Sequence, residues 1–245
     1  MTATLEVHEA PDRVVVHLTR PEVRNAIDHQ MVTELHGVCD LLERVPRVLL
    51  LGGRGGNFAA GADISQLRER RRDDALRGIN SGLFDRIRRL PMPVIGLLDG
   101  YAFGGGAELA YACDVRIGTP RVRIGNPEPG LGIIAAAGAT WRLKELVGEP
   151  AAKEILLAGR VLDAEEALSL RLLNELAEPE ALLEAGNRWA DRIARQAGLA
   201  VRLTKAAFHA PRDAHPYVDD LTQAVLFETE EKQARMTAFL ERNKR

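Results

Sequence analysis

Two glutamates, Glu108 and Glu128, stand 20 residues apart, and each lies beside backbone that a ligand can approach. Glu108 follows Gly104-Gly105-Gly106-Ala107, where a run without side chains enters a helix-forming segment. Amide N–H groups at such a junction point outward with no Cβ in the way, which suits an oxyanion. Glu128 stands between Pro127 and Pro129 in a loop. Two carboxyls near one set of amide donors are equipment for making and quenching an enolate by general acid–base catalysis. Taken alone, the glycines read more readily as close packing of a helix. A second turn adds to the chemical reading. Phe58-Ala59-Ala60-Gly61-Ala62-Asp63-Ile64 follows the apolar run Val48–Leu51 and the loop Gly52-Gly53-Arg54-Gly55-Gly56-Asn57. It too places N–H groups beyond the carboxyl end of a strand, and two such turns can form a two-donor oxyanion hole.

The elements that must hold these turns read as α/β. Alternation in Leu5–Glu9 and Arg13–Thr19 predicts an antiparallel strand pair turned at Ala10-Pro11-Asp12. Asp28 is an N-cap for a helix whose apolar face is Met31, Val32, Leu35, Val38 and Leu42. Val48–Leu51 and Pro93–Leu98 are short continuous apolar runs, as in strands covered on both faces. Asp74–Leu90 reads as one helix closed by Pro91, and Val115–Ile117 and Arg123–Gly125 as further strands. From Ala137 the pattern is helical, with a last helix over Tyr217–Asn243 that can break near Glu230. The expected organisation is an α/β core over residues 1–190 and a helical C-terminal subdomain over 191–245, with no composition-biased linker between them.

Composition excludes several classes of partner. The 245 residues carry a net charge of -2, so no field draws in nucleic acid. No window reaches the ~18 apolar residues of a membrane span, and Met1-Thr2-Ala3-Thr4 opens no secretory leader. A cytoplasmic protein without membrane association is expected. Cys39 and Cys113 fit two buried free thiols, and the six histidines fall in no metal-ligand spacing. The expectation is therefore no metal. The chain has no GxGxxG opening a βαβ unit, no GxxxxGK[ST] and no GxSxG, which leaves dinucleotide, P-loop and serine-hydrolase chemistry without support. Arg68–Asp74 alternates charge sign as a solvated helix face does.

Taken in order, Arg24-Asn25-Ala26-Ile27, Ala60-Gly61-Ala62-Asp63-Ile64, Asp99-Gly100, Gly104-Gly105-Gly106-Ala107-Glu108-Leu109-Ala110, Cys113-Asp114 and Pro127-Glu128 resemble the enoyl-CoA hydratase/isomerase (crotonase) superfamily. The resemblance runs from about Val7 to Arg242. It implies a crotonase-like spiral of ββα units with a helical C-terminal subdomain, assembled as a homotrimer or a dimer of trimers. It implies that the N–H groups of Ala62 and Gly105 hold the thioester oxygen of an acyl-CoA. Glu108 would then activate the water that attacks C3, and Glu128 would deliver a proton to C2. Arg24, Ala26, Ala60, Asp63 and Ile64 would line the CoA path, with Arg242 reaching its phosphates. No separate cofactor is implied, because coenzyme A belongs to the substrate.

Departures from the family pattern bear on the substrate. Ala135-Ala136-Ala137-Gly138-Ala139-Thr140-Trp141 stands where a glycine-rich run is common, so Cβ atoms enter a stretch whose amide, by the resemblance, helps to hold the water. Trp141 reads as packing. Ser65 and Ala234-Arg235-Met236 also depart from the common pattern. The expected activity is syn hydration of a 2-enoyl-CoA; a Δ3-Δ2-enoyl-CoA isomerase and a non-catalytic acyl-CoA-binding relative are the alternatives.

Overall fold

The computed structural model describes residues 3–242, which divide between Ala190 and Asp191 into two compact units. In the larger unit β1 (Leu5–Glu9) and β2 (Arg13–Leu18) pair antiparallel with Val7 opposite Val16. Helix α1 (His29–Arg44) starts where the cap predicts, with Asp28 Oδ1 accepting from Met31 N at 2.8 Å. Then come β3 (Val48–Gly53), α2 (Ile64–Glu69), α3 (Arg72–Leu76), α4 (Ile79–Arg88), β4 (Val94–Leu98), β5 (Tyr101–Phe103) and α5 (Gly105–Ala112). After these follow β6 (Val115–Gly118), β7 (Arg123–Gly125), α6 (Ala139–Val147), α7 (Glu149–Ala158), β8 (Leu162–Asp163), α8 (Ala164–Ser169), β9 (Glu175–Leu176) and α9 (Leu182–Ala194). The boundary falls within α9, and the smaller unit holds the end of that helix, α10 (Gly198–Phe208), α11 (Tyr217–Phe227) and α12 (Glu230–Arg242).

The main sheet has the order β1-β2-β3-β4-β6-β9 and is parallel from β2 onward. Strand β4 is buried throughout and β3 over all but its last residue, which is why both read as unbroken apolar runs instead of alternating. A smaller sheet, β5-β7-β8, stands beside the turn into α5. All eight residues of α5 are buried, Glu108 included.

Two features differ from the sequence reading. The single helix expected over Asp74–Leu90 is two helices, because Gly78 takes the left-handed conformation at φ 63 and ends α3 before α4 begins. Strands β5, β8 and β9 are two or three residues long, too short for any periodicity to announce them. The helix expected from Tyr217 breaks after Phe227, close to the position foreseen; Asn243 lies outside the described residues.

The buried guanidinium of Arg116 on β6 closes the far end of α5. Its Nε donates to Leu172 O at 2.6 Å, and Nη1 donates to the carbonyls of Cys113 and Ala110. Carbonyls at a helix C-terminus lack the donors of a following turn, and a buried guanidinium can bond them. An Arg116→Met substitution removes these buried hydrogen bonds and should destabilise the fold by about 3 kcal/mol, read as a lower denaturant midpoint with unchanged m-value.

Candidate active site

The three glycines at the start of α5 do different work. Gly104 sits at φ 51 and ψ -123, and a Cβ there would come within 3.0 Å of Glu128 Oε1. Gly106 lies so close to the preceding turn that a Cβ would stand 2.0 Å from Ala59 O. For Gly106 the packing explanation holds. At Gly105 a Cβ would instead project toward Ala62 N at 3.4 Å, into a cavity that Gly105, Ala62, Glu108 and Glu128 all line.

Ala62 is held by a second layer of backbone. Ala60 N donates to Arg24 O (2.9 Å), Ile27 N to Gly61 O (2.8 Å) and Asp63 N to Ile27 O (3.0 Å), which laces the Arg24–Ile27 segment to the turn. Asn25, fully buried at φ 57, donates from Nδ2 to Arg54 O and Asn57 O and accepts from Arg20 N. Asp63 caps α2 through Oδ1 and meets Arg20 Nη2 at 3.2 Å through Oδ2. Arg20 also donates to Ala26 O at 2.6 Å. The N–H groups of Ala62 and Gly105 find no acceptor among the described residues. Two main-chain donors thus face one cavity of about 590 Å³.

Both carboxyls reach that cavity from opposite elements. Glu108 Oε1 accepts from Ala137 N at 2.7 Å and Ala139 N at 3.1 Å. The alanine-rich departure therefore leaves its amides free to point into the site, with Ala136 and Ala137 on the wall. Burial pushes the Glu108 carboxyl up to about 7; the amides oppose this and the nearby Glu128 adds to it. Glu128, on the turn Glu128–Leu131, is raised by burial as well. Its Oε1 accepts from Asn126 Nδ2 at 3.4 Å, while Oε2 is buried without a partner. Asn126 in turn donates to Gly104 O and accepts from the Tyr111 hydroxyl at 3.0 Å. This buried Tyr111–Asn126–Glu128 chain was not evident from the sequence; the one clue is a polar residue two places before the glutamate at the end of β7.

The other expected ligand residues separate. Ala60 and Ile64 line the cavity, as do Arg70, Arg71 and Arg72 from the stretch read as a solvated face, together with Gly78. Arg24 is exposed, with its guanidinium 5.1 Å from the Tyr101 ring centre. Asp63 is engaged in capping, and neither it, Arg24 nor Ala26 borders the cavity. Arg242 is on α12 in the smaller unit, exposed, with Nε donating to Ala238 O at 3.3 Å. A second cavity of about 380 Å³ lies on the other side of Glu108, walled by Trp141 and Arg88, whose guanidinium is 5.0 Å from the indole. Among the described residues no cluster of His, Cys, Asp and Glu is placed to hold a metal ion, and no helix is long and apolar enough to cross a membrane.

A parallel sheet that delivers two unpaired amides and two buried carboxyls of raised proton affinity to one cavity is equipped for acid–base chemistry. The chain belongs to the enoyl-CoA hydratase/isomerase family, whose model matches residues 12–245. It is 35% identical to the short-chain-enoyl-CoA hydratase of Clostridium acetobutylicum, over 94% of this chain and 92% of that one. A crotonyl-CoA hydratase of Syntrophomonas wolfei is also 35% identical, with the same coverage of both chains. Among solved structures, enoyl-CoA hydratase from Bacillus anthracis superposes with a TM-score of 0.91 at 28% identity, covering 98% of this chain and 96% of that one. The crotonase-like fold with a helical C-terminal region expected from the motifs is the fold found.

The buried carboxyl has a measurable cost. Unfolded, Glu108 titrates near the ordinary carboxyl value; folded, it keeps its proton up to about pH 7. Between those values unfolding releases a proton, so stability is full below the unfolded pKa and falls as pH rises. Glu108→Gln keeps the acceptor oxygen and cannot ionise. At pH 8 this variant should melt above the wild type, by the equivalent of about 1–3 kcal/mol, and the gap should close near pH 4 in calorimetric scans.

Proposed function

We propose that this protein is an enoyl-CoA hydratase that adds water reversibly and syn across the double bond of a 2-enoyl-CoA. The observation that carries this reading is the convergence of two unpaired main-chain N–H groups and two buried carboxyls of raised proton affinity on one cavity. The thioester oxygen rests on the N–H groups of Ala62 and Gly105, which act as an oxyanion hole. Glu108 takes a proton from water as its oxygen bonds to C3, and the electron pair of the double bond moves onto the thioester as an enolate. The enolate collapses by taking the proton that Glu128 holds on its unpartnered Oε2, which sets C2. Each fixed donor supplies roughly 3–4 kcal/mol at the developing charge. The two amides on Glu108 favour its carboxylate form, as a base requires, while Glu128 has a free oxygen for a proton.

Isomerisation needs mainly one carboxyl as a shuttle, and a binding protein needs none, so two carboxyls on one cavity favour hydration. The names of the two relatives recommend crotonyl-CoA as the first substrate to assay. Arg24 and Ala26 are our candidates for the CoA path and Arg242 for its phosphates, with no cofactor besides the substrate's own coenzyme A. We further propose a cytoplasmic homotrimer or dimer of trimers assembled through the C-terminal unit. Its large apolar side chains Phe208, Tyr217, Phe239 and Leu240 are exposed in the single chain, and self-association would cover them.

Glu108→Gln and Glu128→Gln should each lower kcat for crotonyl-CoA hydration at least about a hundredfold with little change in acyl-CoA affinity. Near-normal turnover in either variant removes that residue from the mechanism. The pH profile supplies a second check. kcat/KM should fall below about pH 7 as the free enzyme's Glu108 takes up its proton. Truncation after Glu228 should leave a species smaller than a trimer by light scattering; an unchanged mass contradicts the assembly.

A further inference from the structure

Asn80 is the second residue of α4, on a face otherwise made of Leu83, Phe84 and Ile87, where the periodic pattern leads one to expect another apolar side chain. It is 9% exposed. Its Oδ1 accepts from Arg70 Nη1 at 3.3 Å, which sets the carboxamide: turned the other way, the amide would put N–H groups against N–H groups. With Oδ1 so held, Nδ2 is left without an acceptor among the described residues, and Asn80 lines the 590 Å³ cavity. The position at which Gly105 would carry a Cβ shows where Nδ2 stands. That point lies 3.4 Å from Ala62 N and 3.5 Å from Asn80 Nδ2, and it is fixed by covalent geometry next to Gly105's own nitrogen. Three nitrogen donors surround one space, and only a glycine at 105 leaves that space empty.

We propose that the Asn80 carboxamide is a third donor to the thioester oxygen of the bound acyl-CoA, and that Arg70 positions it. The proposal rests on the oxyanion-hole reading of Ala62 and Gly105. Asn80 takes part in no proton transfer. It is a neutral donor whose hydrogen bond strengthens as charge moves from the double bond onto the thioester oxygen, so it favours the enolate over the ground-state thioester. An N–H of a side chain can be removed by substitution, which makes Asn80 the one member of the three open to a direct test.

The test compares two ligands on the full-length protein by calorimetry and near-ultraviolet absorbance. Acetoacetyl-CoA has C2 protons acidic enough to be bound as its enolate; butyryl-CoA offers only a neutral thioester. Asn80→Leu should weaken acetoacetyl-CoA binding and diminish its enolate band about ten- to a hundredfold, while butyryl-CoA affinity changes less than about threefold. kcat for crotonyl-CoA hydration should fall by a similar factor with KM nearly constant. Asn80→Asp should lose more than Asn80→Leu, since it turns a carboxylate toward the enolate. Arg70→Met should show the same preference for the neutral ligand at smaller amplitude, and Arg70→Lys should recover part of the loss. If Asn80→Leu does not keep the wild-type melting temperature, the shorter Asn80→Ala is read in its place. Equal losses for the two ligands, or none, overturn the proposal provided the wild type shows the enolate band. A wild type without that band overturns the oxyanion hole itself.

Discussion

The structure is organised around keeping two backbone amides unpaired. A buried N–H ordinarily finds an acceptor, since a lone one costs free energy. Holding Ala62 N and Gly105 N open therefore needs rigid backbone on both sides. The Arg24–Ile27 segment supplies it on one side through three main-chain hydrogen bonds to the Ala60–Asp63 turn. On the other side α5 is sunk entirely in the core, with Gly106 against Ala59 O and Arg116 on its terminal carbonyls. The motif glycines, the buried Asn25 and the Asp63–Arg20 contact all serve that one requirement.

The same interior that preserves the donors raises the proton affinity of the carboxyls. Glu108 and Glu128 are 4% and 7% exposed, and loss of water is the leading cause of the shift for both. Their hydrogen bonds differ in kind. Two main-chain amides grip one oxygen of Glu108, whereas a single side-chain amide, itself held by Tyr111, touches Glu128 and leaves one oxygen bare. Two like residues in one cavity are thereby made unlike by their neighbours, and that asymmetry is what acid–base work at neutral pH requires.

How far the site could be read from sequence depended on where its information lies. Glycines that admit backbone to a cavity leave a visible run, and a carboxyl beside them is conspicuous, so Glu108, Glu128, Ala62 and Gly105 were within reach. Several family motif residues have structural tasks that a linear reading does not separate from chemistry. Asp99 accepts from Thr119 and Arg121, and Asp114 accepts from Val94 N. Tyr111, Asn126 and Asn80 escaped because each looks ordinary in its own stretch, and only the fold brings α4, α5 and the segment after β7 together at the site. The helix break at Gly78 escaped for a related reason: a glycine inside an otherwise helical pattern is tolerated as often as it terminates.

The two sides of the cavity differ in how firmly they are tied to the core. Helix α5 is buried along its whole length, while α2 and α3 bury none of their residues and are separated by short non-helical joints. Amides over Ile64–Leu76 therefore exchange with solvent through small local openings, whereas those of α5 wait for the core to come apart. In hydrogen-exchange terms the floor that carries Glu108 should open more slowly than the facing wall. On our reading of this cavity as the acyl site, bulk added to an acyl group would press on the wall before it disturbs the floor that carries Glu108.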